Sequence, residues 1–182
     1  MKVPNMKECN LHFPEMEFLM LKNHLLPKQL SAEECAFVFV DYQFEDSQVN
    51  FSYKDSYYLK QEDFVFRSEY HFEVKDHVRA KMIKQAHDMN LVLMEAHSHI
   101  EQKDAKFSPT DWIGFNEFVP HVIWRLKGKP YIAIVFASNS FDGLVWFQNH
   151  QHPMQLDKIV AGSHNHKSSK RSLNRLDYDW KI

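Results

Sequence analysis

Three short runs that are apolar at almost every position constrain the fold of this chain most strongly. They are "CAFVFV" at 35–40, "LVLMEA" at 91–96 and "YIAIVF" at 131–136. A strand that is apolar on both sides must be covered on both faces, as in the centre of a sheet with helices packed on it. Aromatic-rich segments at 49–60 and 63–74 predict further strands, the second of them a strand or a strand plus a turn. We therefore predict an α/β (α+β layered) fold, with one central mixed sheet flanked by helices.

Segments with helical periodicity separate the apolar runs and can supply the covering layers. The pattern predicts helices over 15–30, over about 75–90, and from Ser108 onwards. In the third helix Ser108 is a favourable N-cap, and Pro109 occupies the first helical position, where its missing N–H costs nothing. Pro120 is expected to end or kink this helix.

The remaining segments divide the chain into a folded part and two appendages. A chain of 182 residues suits one domain. We expect an irregular N-terminal arm over 1–14, a folded domain over 15–150, and a polar tail or partner-dependent extension over 151–182. Within the folded part, Asp142-Gly143 predicts the turn of a hairpin.

The charge balance and the cysteine content limit the classes of partner and compartment. The formal net charge is −2 and the pI is about 6.6, so no global basic field attracts nucleic acid or a membrane surface. No stretch has the apolar length of a signal peptide core or a membrane span. The two cysteines, Cys9 and Cys35, have no CxxC spacing and fit a reducing compartment. We therefore expect a cytoplasmic protein.

Two histidines one residue apart follow the second apolar run, in the stretch "HSHIEQKDAKFSPTD" that begins at His97. Residues i and i+2 of an extended segment project to the same side, so His97 and His99 can bind one metal ion. Asp111, in the first turn of the next helix, can add a carboxylate, and a catalytic zinc usually takes three protein ligands and a water. The other interpretation is a helix cap beside surface or core histidines, and the residues alone leave both open.

A zinc hydrolase needs two further groups besides its metal ligands. The metal lowers the pKa of its bound water from 15.7 towards about 7, and a general base must then carry the proton to the leaving amine. A donor for the developing oxyanion is also useful, and Ser108 at a helix N-terminus can supply one. The base must come from elsewhere in the chain.

These residues resemble the signature of the JAMM (JAB/MPN+) family of zinc metalloproteases, in which an upstream glutamate is followed by H-x-H and then by S-x-x-D. Here H-x-H begins at His97 and S-x-x-D begins at Ser108. The family's glutamate precedes an apolar strand in a pattern like E-x-C-G, which "EECAFVFV" at 33–40 resembles. This register matches Glu33, rather than its neighbour Glu34, to the catalytic glutamate.

The resemblance implies a fold, a cofactor, a reaction and a partner. The fold is a JAB/MPN-like (cytidine-deaminase-like) core, and the cofactor is one catalytic zinc ion bound by His97, His99 and Asp111. Glu33 would activate the water in the fourth position, and Ser108 would polarise the scissile carbonyl. The family cleaves isopeptide bonds after the C-terminus of ubiquitin or ubiquitin-like proteins, so the implied partner is a ubiquitin-like protein or its conjugate. The short chain favours a compact, bacterial-type member.

The resemblance covers roughly residues 15–150 and has three departures from the family pattern. Ile100 follows the second histidine where the family usually has proline, and the loop 100–107 is one residue longer than usual. Ala36 stands in place of a glycine. The longer loop is expected to change the substrate groove rather than the metal site.

Two rival functions remain open at this point: a non-catalytic MPN-like scaffold that binds a partner, and a zinc hydrolase of small amides or peptides. The remaining histidine pairs, at 150–152 and 164–166, are expected to be solvated and without a metal. Glu95, two residues before His97, is on the same side of the predicted strand and could orient a ligand. Cys35 is expected to be a buried small apolar residue.

Overall fold

The computed structural model describes residues 7–29, 31–147 and 152–173, and most of its strands belong to one mixed sheet flanked by helices. The strands are β1 (Glu8–Phe13), β2 (Cys35–Glu45), β3 (Gln48–Tyr58), β4 (Phe64–Arg67), β5 (Phe72–Val74), β6 (Val92–Ser98), β7 (Tyr131–Phe136), β8 (Phe141–Trp146), β9 (Met154–Gln155), β10 (Lys158–Ala161) and β11 (His164–Lys167). Nine of them form the sheet, in the order β11-β10-β1-β3-β2-β6-β7-β8-β9, and β4 and β5 form a separate hairpin. The predicted α+β layered architecture is confirmed at this level.

In the part of the chain that the structure describes, one long α-helix covers one face of the sheet and two cover the other. The helices are α1 (Glu15–Leu25), α2 (Asp76–Asp88) and α3 (Pro109–Arg125). The residues of β2 alternate between the two cores: Val38 packs on the α1 side, and Phe37 and Phe39 pack on the side of α2 and α3. Among the described residues, no helix is both long enough and apolar enough to cross a membrane.

The three apolar runs form the adjacent strands β2, β6 and β7 in the middle of the sheet. β6 is antiparallel to β2 and parallel to β7, and every residue of β6 and β7 is buried. Because parallel neighbours need a crossover connection, α3 lies between β6 and β7 in the chain and packs on the sheet. The start of α3 therefore lies near the C-terminal end of β6, where His97 is located.

The segments predicted as appendages on either side of the folded domain contain sheet strands, so these predictions are wrong for the described residues. Within 1–14, β1 lies between β3 and β10 and is parallel to both. Within 151–182, β9, β10 and β11 join the sheet at its two edges. The alternation of Cys9, Leu11 and Phe13 is a period-two signal, but both neighbouring strands are distant in the chain: Leu11 pairs with Phe51 on one side and with Ile159 on the other. Residues 148–151 and 174–182 lie outside the described part.

The predicted end of a helix and the predicted position of a hairpin turn also need correction. Of the two outcomes expected at Pro120, an end of helix α3 is wrong, because the helix runs on to Arg125. Pro120 is on the exposed side, where the freed carbonyl of the preceding turn can bind water. The hairpin turn lies before Asp142-Gly143, where Ala137 N donates to Ser140 O at 2.9 Å, and both predicted turn residues belong to β8. Gly143 is needed for close packing, because a Cβ there would lie 2.9 Å from a side-chain atom of Leu156.

Alanine substitutions at two glycines should have opposite effects on stability. Gly162, in the β10–β11 turn, has φ +57°, and a Cβ there would lie 3.1 Å from Cβ of Glu15. Gly162→Ala should lower the free energy of unfolding by about 1–2 kcal/mol, the cost of the left-handed region for an L-residue. Gly114, in α3, has no atom within 4 Å of its would-be Cβ, so Gly114→Ala should raise it by about 0.5–1 kcal/mol. Denaturant unfolding of both variants checks the pair, and equal shifts would contradict it.

Candidate metal centre

The two histidines and the aspartate meet where β6 ends and α3 begins. His97 lies in β6, on the side of the sheet covered by α2 and α3. His99 is the first residue after β6, and its backbone N–H donates to Phe136 O at 2.8 Å. Asp111 is the third residue of α3 and belongs to a capping box with Ser108. Each side chain is thus positioned by a strand end or a helix start rather than by a free loop.

The ligand atoms of these three residues lie close enough together to surround one metal ion. The two Nε2 atoms of His97 and His99 are 3.2 Å apart. Asp111 Oδ1 is 3.5 Å from Nε2 of His97, and Oδ2 is 3.3 Å from Nε2 of His99. Atoms bound at about 2.0–2.1 Å to one tetrahedral zinc lie roughly 3.3–3.4 Å from each other. His97, His99 and Asp111 can therefore hold one metal ion.

Burial and mutual attraction set the charges within this group. Burial alone would raise the pKa of Asp111, but the attraction of His97 and the hydrogen bonds from both histidines outweigh it and hold that pKa well below its usual range. Burial alone would lower the pKa of His97, and here the charge of Asp111 outweighs it and raises the pKa. The carboxylate is thus ionised at neutral pH, the form that binds a cation.

Glu33 reaches the same group from the residues just before β2. Cys35 pairs with His97 across the β2–β6 ladder, which brings the start of β2 beside the two histidines. Glu33 Oε1 lies 3.8 Å from Nε2 of His99, and its side chain is 6% exposed. Burial, the largest effect, raises the pKa of Glu33 to about 7; the charge of His97 lowers it and the charge of Asp111 raises it further.

Glu34 faces away from this group and forms an ion pair with Arg67 of β4. Its backbone is tied to the other side of the H-x-H motif: Ser98 N donates to Glu34 O, and Glu34 N donates to Ser98 Oγ, both at 3.0 Å. The backbone N–H of Glu33 donates to Ser68 O at 2.8 Å. Of the two adjacent glutamates, the structure places Glu33 at the candidate metal centre.

Ser108 occupies the N-cap of α3, and its hydroxyl is engaged with Asp111. Ser108 Oγ donates to Asp111 Oδ2 at 2.8 Å and accepts from Asp111 N at 3.2 Å. The helix-cap interpretation of this pair is thus confirmed, and it is compatible with metal binding because Asp111 presents its oxygens to both histidines at the same time.

Other residues singled out in the sequence lie outside the metal centre. Glu95 is buried and paired with Arg79 at 2.9 Å. His164 and His166 lie in β11, where no strand was expected, and His166 stacks on Phe18 with ring centroids 4.8 Å apart. His152 is exposed, and its predicted companion at 150 lies outside the described residues. Cys35 is fully buried, as expected.

Sequence reasoning missed the aromatic walls of the site. Phe72 of β5 and Phe107 of the loop before α3 lie against His97, with ring centroids 5.6 Å and 5.8 Å away. The β4–β5 hairpin also exposes Val65, Phe66 and Tyr70. Aromatic residues are so frequent in this chain that no sequence signal separates these from core residues.

Comparison with known proteins gives little further information. No protein-family model matches this sequence, and no curated protein matches it. Among solved structures, the Trichoplax adhaerens STIL N-terminal domain is 8% identical, with a TM-score of 0.33. The match covers 71% of this chain and 37% of that chain. Similarity this weak supports no conclusion about the fold or function of this protein.

Proposed function

We propose that this protein is a JAMM-type zinc metallopeptidase that hydrolyses the bond after the C-terminus of a ubiquitin-like protein, in deconjugation or precursor processing. The observation that carries the proposal is the convergence of Glu33 with His97, His99 and Asp111. Glu33 is far from the other three in the chain, yet its carboxylate lies 3.8 Å from Nε2 of His99. The JAB/MPN-like, cytidine-deaminase-like core belongs to the same proposal, with β2, β6 and the start of α3 as the elements that carry the signature.

Zinc held by His97, His99 and Asp111 would acidify a bound water and polarise the scissile carbonyl. Glu33 accepts the proton of the attacking water and passes it to the leaving amine. A buried carboxylate whose pKa is raised to about 7 suits both directions of this transfer near neutral pH. Ser108 turns its hydroxyl from Asp111 to the carbonyl oxygen and stabilises the developing negative charge.

The surroundings of the site support a protein substrate. The β4–β5 hairpin is joined to the site through Phe72, which packs on His97, and it exposes Val65, Phe66 and Tyr70. Exposed apolar side chains grouped beside a polar centre are typical of protein-binding surfaces. Cys9 and Cys35 are both unpaired and buried, which agrees with the reducing environment of the cytoplasm, where we place the protein.

The test is cleavage by the zinc-loaded protein of two substrate sets: C-terminal fusions and isopeptide conjugates of ubiquitin-like proteins, and a panel of short peptides and small amides. We expect one zinc per chain and cleavage of a folded fusion or conjugate that stops when the metal is chelated. Cleavage confined to the small amides or peptides would indicate the alternative zinc hydrolase. Absence of stoichiometric zinc would indicate the non-catalytic MPN-like scaffold.

A further inference from the structure

A buried carboxylate in β8 ties the C-terminal described residues to the sheet. Asp142 is 0% exposed. Its Oδ1 accepts from Gly143 N, Gln155 Nε2 and Ser168 Oγ at 2.9, 2.8 and 2.7 Å. Its Oδ2 accepts from the backbone N–H and the hydroxyl of Ser172 at 2.8 and 2.6 Å. A carboxylate that is removed from water must be stabilised by hydrogen bonds from the protein. Most of the donors to Asp142 belong to the segment 168–172.

The same segment holds the loop that leads into α3. Phe107 N donates to Ser172 Oγ at 2.9 Å, and Ser169 Oγ donates to Ala105 O at 2.6 Å. Ala105 N is bonded in turn to Ser140 Oγ in the β7–β8 turn at 2.8 Å. The backbone just before Ser108 is therefore anchored to residues that are distant in the chain.

This anchoring bears directly on the candidate metal centre. Phe107 is adjacent to Ser108, and its ring lies against both His97 and Phe115 of α3. A shift of Phe107 would move the first turn of α3, and with it the carboxylate of Asp111. Because the ligand atoms are spaced for one metal ion, a displacement of even 1 Å would spoil the set.

We propose that the segment 168–172 is a positioning element of the metal centre, and that Ser172, held by Asp142, fixes Phe107 and thereby places Asp111 against the two histidines. Ser172 does not touch the substrate or the metal; it acts through Phe107. The inference rests on the metal centre of the proposed function but not on the proposed reaction, because metal affinity is measured without a substrate.

The test compares Ser172→Ala with Ser168→Ala in the full chain, using Co²⁺ as the probe. Both variants remove one hydroxyl donor from Asp142, but only Ser172 also accepts from Phe107 N. We expect Ser172→Ala to weaken Co²⁺ binding about 10–100-fold, as much as the loss of a hydrogen bond to a ligand does, because the released Phe107 would let Asp111 shift. The visible spectrum of the Co²⁺-saturated variant should change with the displaced carboxylate. Ser168→Ala should keep the wild-type affinity and spectrum.

Equal Co²⁺ affinities and spectra in the two variants would overturn the inference. It would also be overturned if, in both variants, the loss of Co²⁺ affinity were proportional to the fall in melting temperature. If Ser172→Ala does not fold, Ser172→Cys replaces it, because the thiol is only a weak acceptor for Phe107 N and a weak donor to Asp142; an unchanged Co²⁺ affinity and spectrum would again overturn the inference. A wild-type protein that binds Co²⁺ and cleaves nothing refutes the proposed function alone, whereas one that binds no Co²⁺ refutes both.

Discussion

Glu33→Gln should leave the metal centre loaded and reduce cleavage of a ubiquitin-like fusion by about 10²–10⁴-fold, the contribution of a positioned general base. The amide has nearly the same shape as the carboxylate but cannot take the proton of the attacking water. Since Glu33 lies 3.8 Å from Nε2 of His99 without belonging to the ligand group, metal content should stay at one ion per chain. The measurement is kcat together with metal content at each step of purification.

Glu34→Gln is the matched control for this substitution. Glu34 is the adjacent residue of the same type, but its carboxylate pairs with Arg67. We expect this variant to keep kcat within about twofold, because the Glu34 carboxylate contacts Arg67 and not the metal ligands. A loss of cleavage in Glu34→Gln with normal rates in Glu33→Gln would show that the assignment of the base is wrong.

Zinc at a free concentration 100 times its Kd should raise the free energy of unfolding by about 2.7 kcal/mol, because it binds the folded state alone. His99→Ala should abolish this increment at the same zinc concentration. The substitution removes one of the three proposed ligands, so that only His97 and Asp111 are left to bind the metal ion. Thermal unfolding with and without zinc measures the difference for each protein.

His164→Ala is the control for the ligand deletion, because it removes a histidine from the second H-x-H, which lies at the exposed sheet edge in β11. This variant should retain the full zinc increment. If both variants lose it, zinc acts through general surface binding. If His99→Ala retains it, the metal is bound elsewhere.

The sequence predicts the centre of the sheet well because its signal is local. A strand that is apolar at every position, such as β7, can be identified without knowing its partner strands. The H-x-H and the helix start at Ser108 are equally local, and they predict a group that the structure brings together. Only the resemblance to a known signature could select Glu33 over Glu34, since two adjacent glutamates carry no spacing information.

The missed elements depend on contacts between distant parts of the chain. β1 is buried because it lies between β3 and β10, and its pairing of Leu11 with Ile159 has no local trace. Asp142-Gly143 has the composition of a turn, but tertiary packing against Leu156 and the segment 168–172 places it in a strand. For the same reason, nothing near Ser172 in the sequence connects it with Phe107.

The order in which the chain is synthesised gives the anchoring of the α3 loop a further consequence. Every residue proposed to bind zinc or to take part in the reaction has left the ribosome once residue 111 has emerged, whereas Ser172 follows much later. β1 likewise has to wait for β10 before its outer edge is paired. A nascent chain thus carries the whole ligand set before it can order the loop in front of α3. The candidate metal centre would therefore be completed late in biogenesis, after the two ends of the described chain have met in one sheet.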